Sequence, residues 1–238
     1  MPPYETSNEF VEFSVSDGTR MKAYVARPKA KTNGPLPGIL VMQEAFGVNS
    51  HIRDVANRLA KEGYVAIAPE LFHRTAPGFE GDYTNFQAVM PHMKALTISG
   101  EEADVRAACG WLESQADVDQ SKLFSVGFCM GGRISVLANT ILPLRASVSF
   151  YGGSIVAELL DRLPQMHSRM LFFWGGLDKH IPTEQRQKIL DTLRAHRKSY
   201  VNVEFSDADH GFFCDQRASY QPQAAKQAWT LMLEFLRS

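Results

Sequence analysis

Leu123-Phe124-Ser125-Val126-Gly127-Phe128-Cys129-Met130-Gly131-Gly132-Arg133 reads as strand, tight turn and helix: the apolar run 123–126 leads into the turn, and a helix-compatible stretch follows over residues 134–139. A glycine two residues before Cys129 and a glycine pair beginning two residues after it leave room for a reactive side chain on a sharp bend. This is the G-x-nucleophile-x-G elbow, with cysteine where serine is usual. At the start of the following helix, unpaired backbone N–H groups and the positive end of the macrodipole favour a thiolate or an oxyanion. A lone cysteine is more often a small apolar filler. The strand-turn-helix context and the partners elsewhere in the chain therefore carry the reading.

Outward from the elbow, strands and helices alternate. Upstream, residues 38–42 and 64–68 are continuous apolar runs, as in strands covered on both faces. Between them a helix is expected over residues 51–62, capped by Ser50, with Ile52, Val55, Ala56, Leu59 and Ala60 on one face and Gly63 as the stop. Earlier still, residues 11–15 alternate and turn back through Asp17-Gly18 into 21–26, which predicts an N-terminal hairpin followed by a loop over 28–37. Residues 69–98 form a loosely patterned excursion with one short apolar segment at 86–93, read as a lid or pocket wall. A helix over 99–113 follows, with Glu101, Glu102 and Asp104 in its first turns. Downstream, strands at 146–150 and 170–174 are separated by a helix near 155–163. Then come a helix over 183–196, an alternating strand at 200–205 and a terminal helix over 223–236 with Pro222 at its start. The pattern predicts an α/β fold, a mostly parallel central sheet of about seven or eight strands with helices on both faces. The 238 residues fit a single domain, 1–238.

Composition narrows the function classes. The chain is 45% apolar and 21% charged with a formal net charge of -1, and its basic residues are neither in excess nor clustered, so no nucleic-acid partner is expected. Cys109, Cys129 and Cys214 are an odd set without disulfide or metal-ligand spacing, which points to a reducing compartment and no metal. Residues 1–6 lack a basic and an apolar signal region, and no apolar run approaches the ~20 residues of a membrane span. The expected location is cytoplasmic, with no membrane partner.

In mostly parallel α/β sheets ligands sit beyond the carboxyl ends of the strands. Four chemistry-bearing residues meet that demand: Glu44, Cys129, Asp178 in Gly-Gly-Leu-Asp-Lys-His, and His210 in Asp-Ala-Asp-His-Gly-Phe-Phe. Cysteine, aspartate, histidine is the order of nucleophile, acid and base in α/β-hydrolases. In those roles His210 takes the thiol proton and later returns it, while Asp178 fixes the imidazole tautomer and stabilises the imidazolium. Asp207 and Asp209 are alternatives for the acid. The other six histidines, His51, His73, His92, His167, His180 and His196, read as mostly surface or helix residues. Cys109 reads as packing, and Cys214 is open.

Gln43-Glu44-Ala45-Phe46-Gly47-Val48-Asn49, Ala68-Pro69-Glu70-Leu71-Phe72, Gly127-Phe128-Cys129-Met130-Gly131-Gly132 and Asp209-His210-Gly211-Phe212 together resemble the dienelactone hydrolase family, whose members have the α/β-hydrolase fold and a catalytic cysteine. The resemblance implies hydrolysis of a small-molecule ester or lactone, of the carboxymethylenebutenolidase type, with no cofactor. It makes Cys129, Asp178 and His210 the triad and assigns the oxyanion hole to the backbone N–H groups of Ala45 and Met130. It also gives Glu44 a part in activating a cysteine that is a neutral thiol at rest. Arg74, Phe46, Tyr151 and Phe212 are the candidate substrate contacts. The family's dienelactone-cleaving members hold the substrate carboxylate with two arginines. Here the position four residues after His210 is Cys214, and no arginine occurs between residues 75 and 102, leaving Arg74, Lys94, Lys179 or Arg217 as cations. Two other readings stay open at this point: a hydrolase-fold protein that binds a small ligand without turnover, and a peroxide switch pairing Cys129 with Cys214.

Overall fold

The computed structural model describes residues 4–29 and 34–238. Residues 1–3, and residues 30–33 of the expected 28–37 loop, lie outside the described part. The chain falls into two compact units, Met1–Phe124 and Ser125–Ser238.

In the first unit β1 (Thr6–Ser14), β2 (Arg20–Pro28), β3 (Leu36–Met42), β4 (Val65–Pro69) and the start of β5 (Val118–Phe128) lie in the order β1-β2-β4-β3-β5. β1 and β2 form the expected antiparallel hairpin, Phe10 opposite Tyr24. Asp17 shapes its turn by accepting the Thr19 backbone N–H at 3.0 Å. β2 pairs antiparallel with β4, and β4 pairs parallel with β3. Residues 38–42 of β3 and all of β4 are buried, as continuous apolar runs require.

The helix between them, α1 (Ser50–Lys61), buries the face expected of it. Its cap, however, is Asn49, whose Oδ1 accepts the Ile52 N–H at 3.3 Å, and Ser50 is its first residue. Both residue types cap helices well. Asn49 is held in the capping position by a second bond, from its Nδ2 to the Tyr83 hydroxyl at 2.9 Å, a long-range contact no local pattern reveals.

That contact is one of several fastening the 69–98 excursion to the loop after β3. Glu80 bridges to Gly47, Gly81 N–H donates to Phe46 O at 2.9 Å, and Arg53 reaches both Glu80 carboxylate oxygens, at 2.6 and 3.1 Å. The excursion carries α2 (Phe86–Ala95) and leads into α3 (Ile98–Glu113), capped by Thr97. Asp104 of α3 is fully buried: the Arg74 guanidinium meets its two oxygens at 2.8 Å each, and Arg74 Nε donates to Asp17 at 2.7 Å. A buried carboxylate needs such a partner, and the bidentate fork supplies it.

In the second unit the end of β5 is followed by α4 (Met130–Ile141), β6 (Ala146–Phe150), α5 (Ile155–Glu158), β7 (Arg169–Gly175), α6 (Thr183–Ala195), β8 (Tyr200–Phe205) and α7 (Pro222–Arg237), with strand order β5-β6-β7-β8. β6, β7 and β8 are parallel. The single helix expected near 155–163 is instead the four-residue α5 and a 3₁₀ turn, Leu160–Gln165. Leu159 leaves helical geometry at φ -130°, and Pro164 has no N–H to bond back to Leu160. Pro222 opens α7 as expected. The core beneath the elbow is aromatic: Phe150 stacks between Phe128 at 4.8 Å and Phe173 at 4.5 Å, each such pair adding ~0.5–1.5 kcal/mol beyond its buried area. Among the described residues no helix is long and apolar enough to cross a membrane.

Candidate active site

β5 ends at Phe128 and α4 begins at Met130, so Cys129 alone makes the bend, at φ 54° and ψ -118°. A non-glycine residue there costs ~1–3 kcal/mol and persists only where its surroundings over-determine it. They do so here. Cys129 N–H donates to Phe150 O at 3.0 Å, and Gly132 N–H donates to Cys129 O at 3.0 Å. A Cβ on Gly127 would collide with the Gly131 backbone, and one on Gly132 would stand 2.7 Å from Phe150 O and 2.8 Å from Gly152 Cα. The motif's glycines are thus fixed by close backbone approach. Cys129 is partly exposed, whereas Cys109 and Cys214 are buried, and all three are free thiols. Burial first, then the Glu113 charge, pushes the Cys109 thiol up to about 12, in keeping with its packing role.

Asp178 and His210 come from the turns after β7 and β8, which are tied together. Gly176 N–H donates to Phe205 O at 2.8 Å and Leu177 N–H to Ala208 O at 2.9 Å. A Cβ on Gly175 would meet Ala208 O at 2.6 Å, so only glycine allows this approach. The result is a bond from His210 Nδ1–H to Asp178 Oδ2 at 2.8 Å, while Asp178 Oδ1 accepts the His180 N–H at 2.8 Å. Asp209 is instead occupied by the backbone N–H of His210 at 2.6 Å, and Asp207 by Gln221 at 2.8 Å, so neither is the acid partner.

Asp178 is 5% exposed and His210 9%. Burial alone would raise the Asp178 carboxyl, but the hydrogen bond and charge of His210, with the His180 amide, hold it below its usual value. Burial alone would lower the His210 imidazole. The Cys129 charge and the hydrogen bonds to Asp178 and Cys129 outweigh it and raise His210 from 6.5 to about 10. His210 is therefore favoured as an imidazolium.

The sequence model of the dienelactone hydrolase family matches residues 21–238. The chain belongs to the dienelactone hydrolase family. It is 39% identical over 220 residues to a Synechocystis protein provisionally named carboxymethylenebutenolidase, covering 88% of each chain. To a Bradyrhizobium protein provisionally named 2-oxo-3-(5-oxofuran-2-ylidene)propanoate lactonase it is 32% identical over 237 residues, covering 96% of this chain and 93% of that one. A crystal structure of a provisionally assigned dienelactone hydrolase from Klebsiella pneumoniae superposes with a TM-score of 0.86 at 34% identity, covering 98% of this chain and 99% of the other. The fold is the α/β-hydrolase fold of this family, and the protein is a hydrolase.

Against that family pattern the remaining expected site residues divide. Met130 is the first residue of α4, beside Cys129 in the chain. Glu44 and Ala45 follow β3 in the first unit, both fully buried. The loop is pinned by Gln43, which donates to Glu44 O at 3.3 Å and accepts the Leu71 N–H at 3.1 Å. The expected substrate contacts are all engaged within the protein. Arg74 spends its donors on Asp104 and Asp17. Phe46 is buried against Tyr83 with ring centroids 4.5 Å apart. Tyr151 and Phe212 are fully buried and pack on each other at 5.3 Å, with Tyr151 also 5.1 Å from His210. Tyr151 backs the histidine, and Phe212 backs Tyr151.

Among the cations, Arg217 stands out, because a Cβ on Gly211 would fall 2.5 Å from its guanidinium, which therefore lies along the residue after His210. Two histidines read as surface or helix residues, His51 and His73, are buried. His73 Nδ1 lies 3.1 Å from Glu70 O and its Nε2 3.0 Å from Thr19 Oγ1. His180 is exposed as expected, but its ring centroid is 5.2 Å from that of His210. Its place two residues after the acid was the available signal.

Proposed function

We propose that this protein hydrolyses esters or lactones through a thioester on Cys129. The observation that carries the reading is the chain of contacts Asp178–His210–Cys129, with the cysteine on a left-handed backbone at a strand-helix junction. The Cys129 thiolate adds to the substrate carbonyl carbon, and the carbonyl electron pair moves to oxygen. That oxyanion is assigned to the backbone N–H groups of Met130, at the start of α4, and of Ala45. Collapse breaks the C–O bond, and the departing alkoxide takes the His210 proton. Acylation removes the thiolate charge that helps raise His210, so the imidazole becomes a competent base. It then deprotonates the water that attacks the thioester, and the thiolate leaves. The chemistry needs neither metal nor organic cofactor.

Glu44 is carried as an activating carboxylate on the family motif. The uninterrupted family match over 21–238 supports reading 1–238 as one hydrolase domain, with 69–98 a pocket wall. Relatives named for lactones support a lactone substrate, and Arg217 is the cation assigned to an anionic one. The unbridged cysteines support the cytoplasmic reading. The test is hydrolysis of an activated acetate ester and of cis- and trans-dienelactones by wild type and Cys129→Ala. Cleavage by wild type, lost by more than ~10³-fold in the variant, is expected. No cleavage of any of them by wild type would overturn the reading and favour a ligand carrier.

A further inference from the structure

We propose that His180 is a positioning residue for the catalytic imidazole, the outer of two aromatic side chains that hold the His210 ring between Asp178 and Cys129; the inference rests on the cysteine-hydrolase reading above. The inner side chain is Tyr151. It is fully buried, its backbone is bent to φ 38°, and its N–H donates to Phe173 O at 2.8 Å, so it is part of the rigid end of β6. Its ring lies 5.1 Å from that of His210 at 60°. His180 approaches with centroids 5.2 Å apart and planes at 69°. The His180 contact is edge-to-face and the Tyr151 contact tilted, both within the centroid range of favourable aromatic pairs.

The backbone of His180 is set by the same carboxylate that sets His210. Asp178 Oδ2 takes the His210 Nδ1–H and Oδ1 takes the His180 N–H, each at 2.8 Å. One acid thereby fixes both the base and the side chain beside it. The Nδ1 bond alone leaves the imidazole free to swing about its broad terminal torsion. Two rings packed against it restrain that swing and keep the other nitrogen on the thiol. His180 is exposed while Asp178 and His210 are nearly buried, so its ring is also the cover between the ion pair and water. Excluding water there strengthens the charge-assisted bonds.

The experiment compares wild type, His180→Ala and His180→Phe in two readouts: kcat and KM on an activated acetate ester, and the pH profile of Cys129 alkylation by iodoacetamide. Both variants keep the backbone N–H that Asp178 accepts, and the residue is at the surface, so the fold is retained; thermal unfolding checks it. The expected result is a kcat lowered at least about tenfold in His180→Ala with KM within about twofold. Alkylation in His180→Ala should need a higher pH than in wild type to reach the same rate. His180→Phe should restore both. An alkylation profile in His180→Ala that matches wild type, or a His180→Phe as impaired as His180→Ala, overturns the proposal. Wild-type enzyme without esterase activity would sink the hydrolase reading alone, since alkylation reports on the imidazole without turnover.

Discussion

Gly132→Ala tests whether the elbow is held by backbone contact. A methyl at this position would stand 2.7 Å from Phe150 O, 2.8 Å from Gly152 Cα and 2.9 Å from Ser149 Oγ, where 3.4 Å is ordinary contact. The first turn of α4 must therefore back away from the end of β6 by about 0.7 Å, or distort. Overpacking of this kind costs ~1–3 kcal/mol, which in a chain of this size lowers Tm by roughly 2–12 °C. The activity should suffer more than stability alone implies. Phe150 O is also the acceptor of the Cys129 N–H, so the methyl pushes on the bond that orients the nucleophile. Since a misplacement of ~1 Å costs about 10²-fold, a shift of this size should cost about tenfold or more in kcat/KM. Gly110→Ala is the control: Gly110 lies inside α3 with nothing within 4 Å of the added carbon. The same chemical change there should raise stability by ~0.5–1 kcal/mol and leave activity alone. Thermal unfolding and steady-state ester hydrolysis on the two variants read both effects. A Gly132→Ala protein within about 1 °C and twofold of wild type would refute the account of the elbow.

Asp178→Asn keeps the shape but removes the charge that His210 Nδ1–H meets. A buried charge-assisted hydrogen bond is worth ~1.5–3 kcal/mol, and the lost tautomer control adds to it, so kcat should fall at least ~10²-fold; a drop under threefold would contradict the role. In Cys129→Ala two of the causes that raise His210 are gone, so its imidazole should titrate below the value of about 10 that it has beside Cys129, as followed by NMR; an unchanged titration would show that Cys129 does not act on it. Arg217→Met should raise KM about tenfold or more for an anionic lactone and leave an uncharged ester unaffected; equal effects on both would remove Arg217 from substrate recognition.

Much of this was legible because it is local. Continuous apolar runs marked β3, β4, β6 and β7, and alternation marked the hairpin. The bracketing glycines of Cys129 announced a bend that only a close-packed backbone demands. Cys129, Asp178 and His210 stood out because each lies within five residues of the end of a strand. What stayed hidden depends on pairs distant in sequence. Asn49 outcompetes Ser50 as cap through Tyr83, 34 positions on. Asp104 looked like a helix-end carboxylate, but burial and Arg74 claim it, a pairing 30 positions apart. Phe46, Tyr151 and Phe212 are apolar beside motif residues, and sequence alone does not separate a wall of the pocket from the packing behind it. His180 looked like a surface residue, and it is one, but the tight turn that brings Asp178 to His210 also carries its ring along.

The central claim is that Cys129 carries the acyl group. The most direct measurement is rapid quench of wild-type protein with an activated acetate ester, followed by intact mass and peptide mapping under acidic conditions that preserve a thioester. The account predicts a burst of one acetyl group per chain, located on Cys129 and discharged by added thiol. An acetyl group on any other residue, or sustained hydrolysis by Cys129→Ala at the wild-type rate, would contradict it.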